Sequence, residues 1–249
     1  SCWGDSCVLV PWAEYLARGN KSLLKKQYPA IKKFLKAAKW WAGFLSITPT
    51  TRHIWRFPFH FGDWCAPEGT AKDWIAKGKW VGTAYFANSC NLTAQIADIL
   101  GYKDDAVYYR KLRNKIIRAY GKAFTNGKGK LKKEFQTAYV LPLHFKMTKG
   151  VETKEMAANL VRLVREADNH LTTGFTGTPY LLFALSDNGH ADVAYDLLLQ
   201  EECPSWLYEV KAGGTTIWER WDALRPDGTV NTTDLNNPER DSGGMVSFN

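Results

Sequence analysis

Apolar residues recur along much of the chain with the period of an α-helix. From Ile31 to Leu45 they return about every three or four positions, which predicts an amphipathic helix of roughly four turns. The same spacing appears in the segments 108–124 and 156–164. Each of these segments is predicted to bury one face and to expose the other.

A second set of segments is apolar on nearly all sides, which is typical of helices that are buried all round. Glycine-containing turns, such as the one at 101–105, follow these segments. Three of the segments open with a similar order of threonine, small or proline residue and tyrosine, beginning at Thr83, Thr137 and Thr178, which we interpret as a recurring N-cap. The four segments are 8–16, 83–100, 137–145 and 179–185.

Alternation of buried and one-faced helices predicts an all-α fold, an (α/α)6 barrel or six-hairpin toroid with inner and outer helices. Only about eight or nine helices are predicted, fewer than six hairpins require, so residues 1–249 are expected to form a partial barrel, incomplete at both ends, of a longer protein. Aromatic-rich loop insertions interrupt the pattern at 48–80 and at 202–225, where short strand-like pieces are predicted, and 226–249 is rich in Asn, Asp and Gly. We expect these insertions at the ligand-binding end of the ring.

The aromatic content is the unusual part of the composition. The 249 residues include 11 Trp, 11 Tyr and 12 Phe, more than a core requires, and sugar-binding clefts are one place where such residues gather. The net charge is +8, but most lysines fall on the polar faces of predicted helices and no nucleic-acid-binding motif accompanies them. We therefore expect these lysines to lie on solvated surfaces rather than to bind nucleic acid. The possibility that the substrate is acidic stays open. No apolar run reaches the roughly 18 to 20 residues of a membrane span.

Other site chemistries find little support in the sequence. The five cysteines are widely spaced without a C-x-x-C pair, which favours buried thiols over a disulfide framework or a zinc site. The five histidines show no metal-ligand spacing, and neither a phosphate-binding glycine fingerprint nor a Gly-x-Ser-x-Gly elbow is present. The sequence therefore predicts neither a metal site nor a cofactor, and whether a metal assists stays open.

Carboxylates in aromatic, non-helical surroundings are the main candidates for catalysis. Desolvation beside tryptophan raises the pKa of a carboxyl group towards use as a general acid or base, and glycoside hydrolysis needs two such groups. For Glu219 we favour catalysis over a structural ion pair with Arg220. For Asp5 and Asp63, an N-cap and a sugar-hydroxyl ligand stay equally open. The carboxylates in such settings are Asp5, Asp63, Glu68, Glu219 and Asp222.

Around these carboxylates the sequence resembles the catalytic domain of the α-L-rhamnosidases, glycoside hydrolase family 78. The resemblance follows the family's order of motifs and covers essentially the whole chain. The matching motifs are Trp3-Gly4-Asp5, Val8-Leu9-Val10-Pro11-Trp12, Phe61-Gly62-Asp63-Trp64-Cys65-Ala66-Pro67, His170-Leu171-Thr172-Thr173-Gly174-Phe175, Gly177-Thr178-Pro179-Tyr180, Pro204-Ser205-Trp206, Thr215-Thr216-Ile217-Trp218-Glu219-Arg220-Trp221-Asp222 and Ser247-Phe248-Asn249.

The resemblance implies an enzyme that hydrolyses terminal α-L-rhamnosyl linkages with inversion, acting on a rhamnose-containing glycan. It makes Glu219 the general base that activates water. The residues that it implies for substrate binding are Asp5, Asp63, Trp64, Trp206, Trp218 and Trp221.

The chain also departs from the family pattern. The family's general acid is a Glu a few residues before the first Gly-Asp, a position that would precede Ser1, and a His-bearing helix follows Ser-Phe-Asn in the family. We therefore expect the native protein to be longer, with accessory β-domains before this segment. Two alternatives stay open, a non-catalytic carbohydrate-binding derivative of such an enzyme and, with less support, a polysaccharide lyase.

Overall fold

The computed structural model describes residues 2–44, 46, 48, 51–56, 60–67 and 69–231. Within these residues the regular structure is α-helical, and Leu224 pairs with Val230 in an isolated antiparallel bridge. None of the helices in the described part is long and apolar enough to cross a membrane. The chain divides into two compact units, one formed by 1–60 and 78–127, the other by 61–77 and 128–249.

The first unit contains four long helices. Helix α2 (Lys21–Phe44) buries positions that are spaced alternately by four and three residues, among them Ile31, Leu35 and Ala38, as the sequence predicts. In this unit α1 packs against α2 and α4, and α4 packs against α2 and α5. The helices are α1 (Cys2–Arg18), α2 (Lys21–Phe44), α4 (Gly78–Leu100) and α5 (Lys103–Phe124).

The described part of the second unit contains six helices, five of which are shorter than any helix of the first unit. Helices α6, α7 and α8 pack against one another, and α9 packs against α8. Helix α3 (Ala71–Ala76) lies in the segment 48–80, which was predicted to be irregular, and α10 (Trp206–Lys211) lies in 202–225, where strand-like pieces were predicted. Both predictions were wrong at these helices. The helices are α3 (Ala71–Ala76), α6 (Gln136–His144), α7 (Gly150–Glu166), α8 (Thr178–Ser186), α9 (Ala191–Leu198) and α10 (Trp206–Lys211).

The glycine turns predicted between helices are confirmed. Gly101 and Gly189 follow α4 and α8 with φ of 81° and 90°, a left-handed conformation that glycine adopts without steric cost. In both turns the next N–H reaches back five residues, from Tyr102 to the carbonyl of Ala97 and from His190 to that of Leu185. These are the bonds that close a helix C-terminus.

The predicted all-round burial holds for α4 and α6 but not for α1 or α8. In α8, Phe183 is 57% exposed. Val10 and Leu16 of α1 are 64% and 66% exposed among the described residues. An apolar sequence shows that a position tolerates burial, whereas the neighbours available in the fold decide whether it is covered.

The recurring threonines are not N-caps. Helix α4 begins at Gly78, well before Thr83, and the N-caps of α6 and α8 are Phe135 and Gly177. Thr83 instead lies inside α4, where its hydroxyl oxygen accepts the N–H of Trp55 at 2.9 Å. Thr137 donates to Asp63 at 2.9 Å. Two of the repeated threonines therefore attach an irregular segment to a buried helix.

Candidate active site

The segment 218–222 is fixed by an ion pair between two of its own residues. Arg220 donates from Nε to Asp222 Oδ1 at 2.5 Å and from Nη2 to Asp222 Oδ2 at 3.2 Å. Asn231 donates a further hydrogen bond to Asp222 Oδ2 at 2.7 Å, and the Arg220 guanidinium lies 5.2 Å from the Trp74 ring centroid. Arg220 and Asp222 are both buried. Among the described residues Arg220 therefore pairs with Asp222 and not with Glu219, the ion pair that was the alternative for Glu219.

Glu219 lines a cavity of about 830 Å³ in the second unit. Burial raises the pKa of its carboxyl group above the usual range. Within the described residues Glu219 forms no ion pair. The cavity is mainly apolar; its lining residues are Phe175, Thr178, Pro179, Leu182, Phe183, Ser186, Ala191, Ala194, Tyr195, Leu198, Trp206, Ile217, Trp218, Glu219 and Trp221.

Three tryptophans of this lining were predicted from the sequence to bind substrate. Trp206, at the start of α10, meets the Trp221 ring edge to face with centroids 5.5 Å apart. Trp221 is buried and donates from Nε1 to Thr178 Oγ1 at 3.2 Å, which ties it to the start of α8. Trp218 is also buried and lies next to Glu219 in the chain. The structure thus brings Glu219, Trp206, Trp218 and Trp221 to one cavity.

Sequence reasoning missed Glu209, a buried carboxyl group on α10. Its Oε1 accepts the backbone N–H of Trp218 at 3.3 Å, so it holds the residue that precedes Glu219. Burial raises the pKa of Glu209 from 4.5 to about 7, and the hydrogen bond from Trp218 acts in the opposite direction. The signal available in the sequence was a glutamate three residues after Trp206, but the segment was interpreted as strand-like.

Asp63 connects three segments of the second unit. Its Oδ1 accepts hydrogen bonds from Thr137 Oγ1 at 2.9 Å, from Thr176 Oγ1 at 2.8 Å and from the Gly174 N–H at 3.1 Å. Lys77 Nζ lies 3.7 Å from Oδ2. Asp63 is fully buried, which raises its pKa, while Lys77 and the three donors oppose that rise. The partners are distant in sequence, so the carboxylate is not an N-cap of the following residues, and its burial favours a structural tie.

The backbone at Trp64 explains why a glycine stands at 174. A Cβ on Gly174 would lie 2.1 Å from the Trp64 carbonyl oxygen and 2.7 Å from that of Asp63, closer than any side chain allows. The Trp64 carbonyl accepts the N–H of Phe175, a residue of the cavity wall, at 3.1 Å. Trp64 itself packs on Trp74 with centroids 5.0 Å apart and does not line the cavity in this structure.

Asp5 belongs to the first unit. It lies in the first turn of α1 rather than before a helix, so the N-cap hypothesis is wrong for this residue as well. Ser89 Oγ donates to its Oδ1 at 2.5 Å. The side chain is 1% exposed, and this burial raises its pKa despite the hydrogen bond from Ser89.

In the part of the chain that the structure describes, no cluster of His, Cys, Asp and Glu could hold a metal ion. Among the described residues, Cys7, Cys65, Cys90 and Cys203 form no disulfide. The candidate Glu68 and the motif 247–249 lie outside the described residues.

The described residues thus combine a helical fold with a carboxylate on an aromatic cavity, an arrangement that is compatible with glycoside hydrolysis. Residues 1–248 match the family of the bacterial alpha-L-rhamnosidase six-hairpin glycosidase domain, and the chain belongs to that family. The six-hairpin class of fold predicted from the sequence is confirmed by this match.

The chain is similar to several proteins named alpha-L-rhamnosidase. It is 40% identical over 245 residues to one from Streptomyces avermitilis, covering 98% of this chain and 22% of that protein. It is 35% identical over 249 residues to one from Formosa agariphila, covering 99% of this chain and 26% of that protein. The chain therefore spans about a quarter of the length of these relatives.

Solved structures show the same relationship. The Streptomyces avermitilis alpha-L-rhamnosidase complexed with L-rhamnose matches with a TM-score of 0.79 at 39% identity, covering 92% of this chain and 21% of that one. The native enzyme from Aspergillus terreus matches with a TM-score of 0.82 at 33% identity, covering 93% of this chain and 26% of that one.

Proposed function

We propose that this chain is part of the catalytic domain of an inverting α-L-rhamnosidase and that Glu219 is its general base. The observation that carries the proposal is that Glu219 lines an aromatic cavity while the neighbouring Arg220 forms its ion pair with Asp222. Family membership and the names of the relatives support the reaction class.

In an inverting hydrolysis, one carboxylate removes a proton from water as the water attacks the anomeric carbon, and a carboxylic acid protonates the leaving oxygen on the other side. Glu219 would perform the first task. Because its raised pKa makes it a stronger base than an exposed glutamate, it is ionised only at higher pH. The acid is assigned by resemblance to a position before Ser1, so no residue of this chain is given that role.

The tryptophans supply the surface on which the sugar ring would stack. We assign that role to Trp206, Trp218 and Trp221 around Glu219. Trp64, Asp63 and Asp5 stay proposed pocket residues by resemblance. Asp63 is buried and accepts the N–H of Gly174, which supports an indirect role in which it positions the backbone next to Phe175 of the cavity wall.

The test is Glu219→Gln in the protein that contains this chain, assayed on an aryl α-L-rhamnoside. Loss of a general base lowers kcat by about 10²- to 10⁴-fold while the binding of rhamnose survives, measured by calorimetry. Glu219→Ala with added azide is the sharper test. Azide needs no base, so it would restore turnover and give a rhamnosyl azide of inverted configuration.

The matched control is Glu202→Gln, an exposed carboxylate of the same unit, which is expected to leave kcat unchanged. Normal turnover by Glu219→Gln would refute the assignment of the base. If the unsubstituted protein that contains this chain (the parent protein) binds rhamnose but cleaves no rhamnoside, it is a binding derivative. An unsaturated product that absorbs in the ultraviolet would identify a lyase.

A further inference from the structure

The outward face of α2 carries two exposed aromatic rings. Trp40 is 54% exposed and Phe44, one turn later, is 61% exposed. Their rings stack with centroids 4.7 Å apart and an interplanar angle of 26°, and Trp41 meets Trp40 edge to face at 4.6 Å. The buried stripe of α2 is on its opposite face, so these rings do not serve the core of the first unit.

These rings form one wall of a groove of about 800 Å³, within the size range of ligand-binding clefts. We name it the α2 groove. It runs along the last three turns of the helix, about 16 Å from Lys33 to Phe44, which is longer than one sugar residue. Its lining residues are Lys33, Lys36, Ala37, Lys39, Trp40, Trp41, Gly43, Phe44, Arg52 and His53.

The charge of the α2 groove is uniformly positive. Four of its lining residues are Lys or Arg and none of those described is acidic. Among the described residues Lys33, Lys36 and Arg52 form no ion pair, while Lys39 bonds the hydroxyl of Tyr108 at 2.9 Å. A concave surface of one sign of charge concentrates ions of the opposite sign.

The pKa of His53, which lines the groove, is affected by these positive charges. Its pKa is lowered, first by burial and then by the positive charges of Lys115, Lys39, Arg52 and Arg118. The imidazole is therefore neutral at pH 7, and the surrounding cations disfavour a further positive charge at this position.

A second cavity of about 490 Å³ continues the basic surface and shares Lys33, Lys36 and Lys39 with the α2 groove. Its acidic residue, Asp105, is already engaged by Lys32 and by the Tyr28 hydroxyl, both at 2.8 Å. The shared lysines therefore face two adjoining cavities.

We propose that the α2 groove binds an acidic polysaccharide, with sugar faces stacked on Trp40 and Phe44 and carboxylate or sulfate groups held by Lys33, Lys36 and Arg52. The proposal rests on the proposed function, because an enzyme that trims rhamnosyl ends already meets glycan chains. It adds that the preferred chains are anionic and that residues of the first unit bind them, whereas Glu219 and its cavity belong to the second unit.

The charge complementarity and the paired rings favour this occupant. The pyranose ring presents apolar C–H groups that pack on aromatic faces, while Lys and Arg recognise anionic substituents. A neutral glycan would leave the cations unused, and a simple polyanion would leave the exposed rings unused.

The experiment measures binding of polygalacturonate, which contains no rhamnose, by affinity electrophoresis and calorimetry on the intact protein. The parent is expected to bind it, more weakly as salt rises, and not to bind its fully methyl-esterified form. Trp40→Ala should weaken binding about tenfold, the order expected for loss of one stacking ring. The pair Lys33→Ala with Lys36→Ala should weaken it at least as much. Dextran sulfate, tested in parallel, distinguishes sulfate from carboxylate as the preferred group.

The pair Lys25→Ala with Lys26→Ala is the matched control, because it removes two exposed lysines of the same helix outside the groove. The proposal is overturned if this control weakens binding equally, if Trp40→Ala has no effect, or if the esterified polymer binds as well. Tighter, Trp40-dependent binding of RNA or of anionic vesicles would also overturn it. Turnover of a small aryl rhamnoside by Trp40→Ala, expected to be unchanged, reports the proposed function separately.

Discussion

Replacement of Glu209 by glutamine tests how the candidate base is held. Glu209 is 5% exposed and accepts the N–H of Trp218, next to Glu219. Glutamine keeps an oxygen acceptor for that N–H but cannot ionise. The substitution therefore separates the hydrogen bond from the buried charge.

The magnitude follows from the pKa. Because the folded protein raises the pKa of Glu209 from 4.5 to about 7, it binds the proton more tightly than the unfolded chain does. The stabilisation that the protonated form provides is complete below about pH 4.5 and is lost as the pH rises through 7. At about 1.36 kcal/mol per pH unit, the rise from 4.5 to about 7 corresponds to a loss of at most about 3.4 kcal/mol, which solvent screening reduces to about 1–3 kcal/mol.

The assay is urea unfolding followed by tryptophan fluorescence between pH 4.5 and 9. The parent protein and Glu209→Gln should have similar stability at the acidic end, and the variant should be more stable by about 1–3 kcal/mol above pH 8. Glu209→Ala removes the acceptor and should cost about 1–3 kcal/mol at acidic pH, where it is compared with the protonated parent. Glu202→Gln is the exposed control. A stability difference between parent and Glu209→Gln that stays constant from pH 5 to pH 9 would refute the reasoning.

Many of the helices could be predicted from the sequence, because a buried helix face requires apolar residues at a helical spacing that is visible in the local sequence. In α2 the spacing of Ile31, Leu35 and Ala38 predicts which face of the helix is buried. The two helices that were missed also had local signals. Thr70 and Asp73 form a capping box at the start of α3, and Ser205 caps α10 by accepting the Tyr208 N–H at 3.1 Å.

The site was only partly predictable, because its decisive contacts join distant residues. Glu219 could be selected from its tryptophan neighbours, but the partner of Arg220 could not. Arg220 lies over Trp74 and donates to the Gly69 carbonyl, far away in sequence, which fixes its direction towards Asp222. A short motif identifies which groups carry chemistry, and the folded chain decides which of them stay available to a ligand.

Three further substitutions test the buried polar contacts, each by denaturant unfolding. Asp63→Ala leaves the buried Gly174 N–H without its acceptor and should destabilise by about 3–5 kcal/mol; a loss below 1 kcal/mol would contradict the proposed tie. Gly174→Ala drives a Cβ into the Trp64 carbonyl and should cost about 2 kcal/mol or more; normal stability would show that the loop can shift. Ser89→Ala removes a donor to Asp5 and should cost about 1–3 kcal/mol, more at pH 8 than at pH 4. The reason is that only ionised Asp5 needs that donor: the pKa of Asp5, already raised by burial, rises further in the variant, so the added loss develops as the pH passes through it. Equal losses at the two pH values would show that the serine hydroxyl acts through packing rather than through the charge of Asp5.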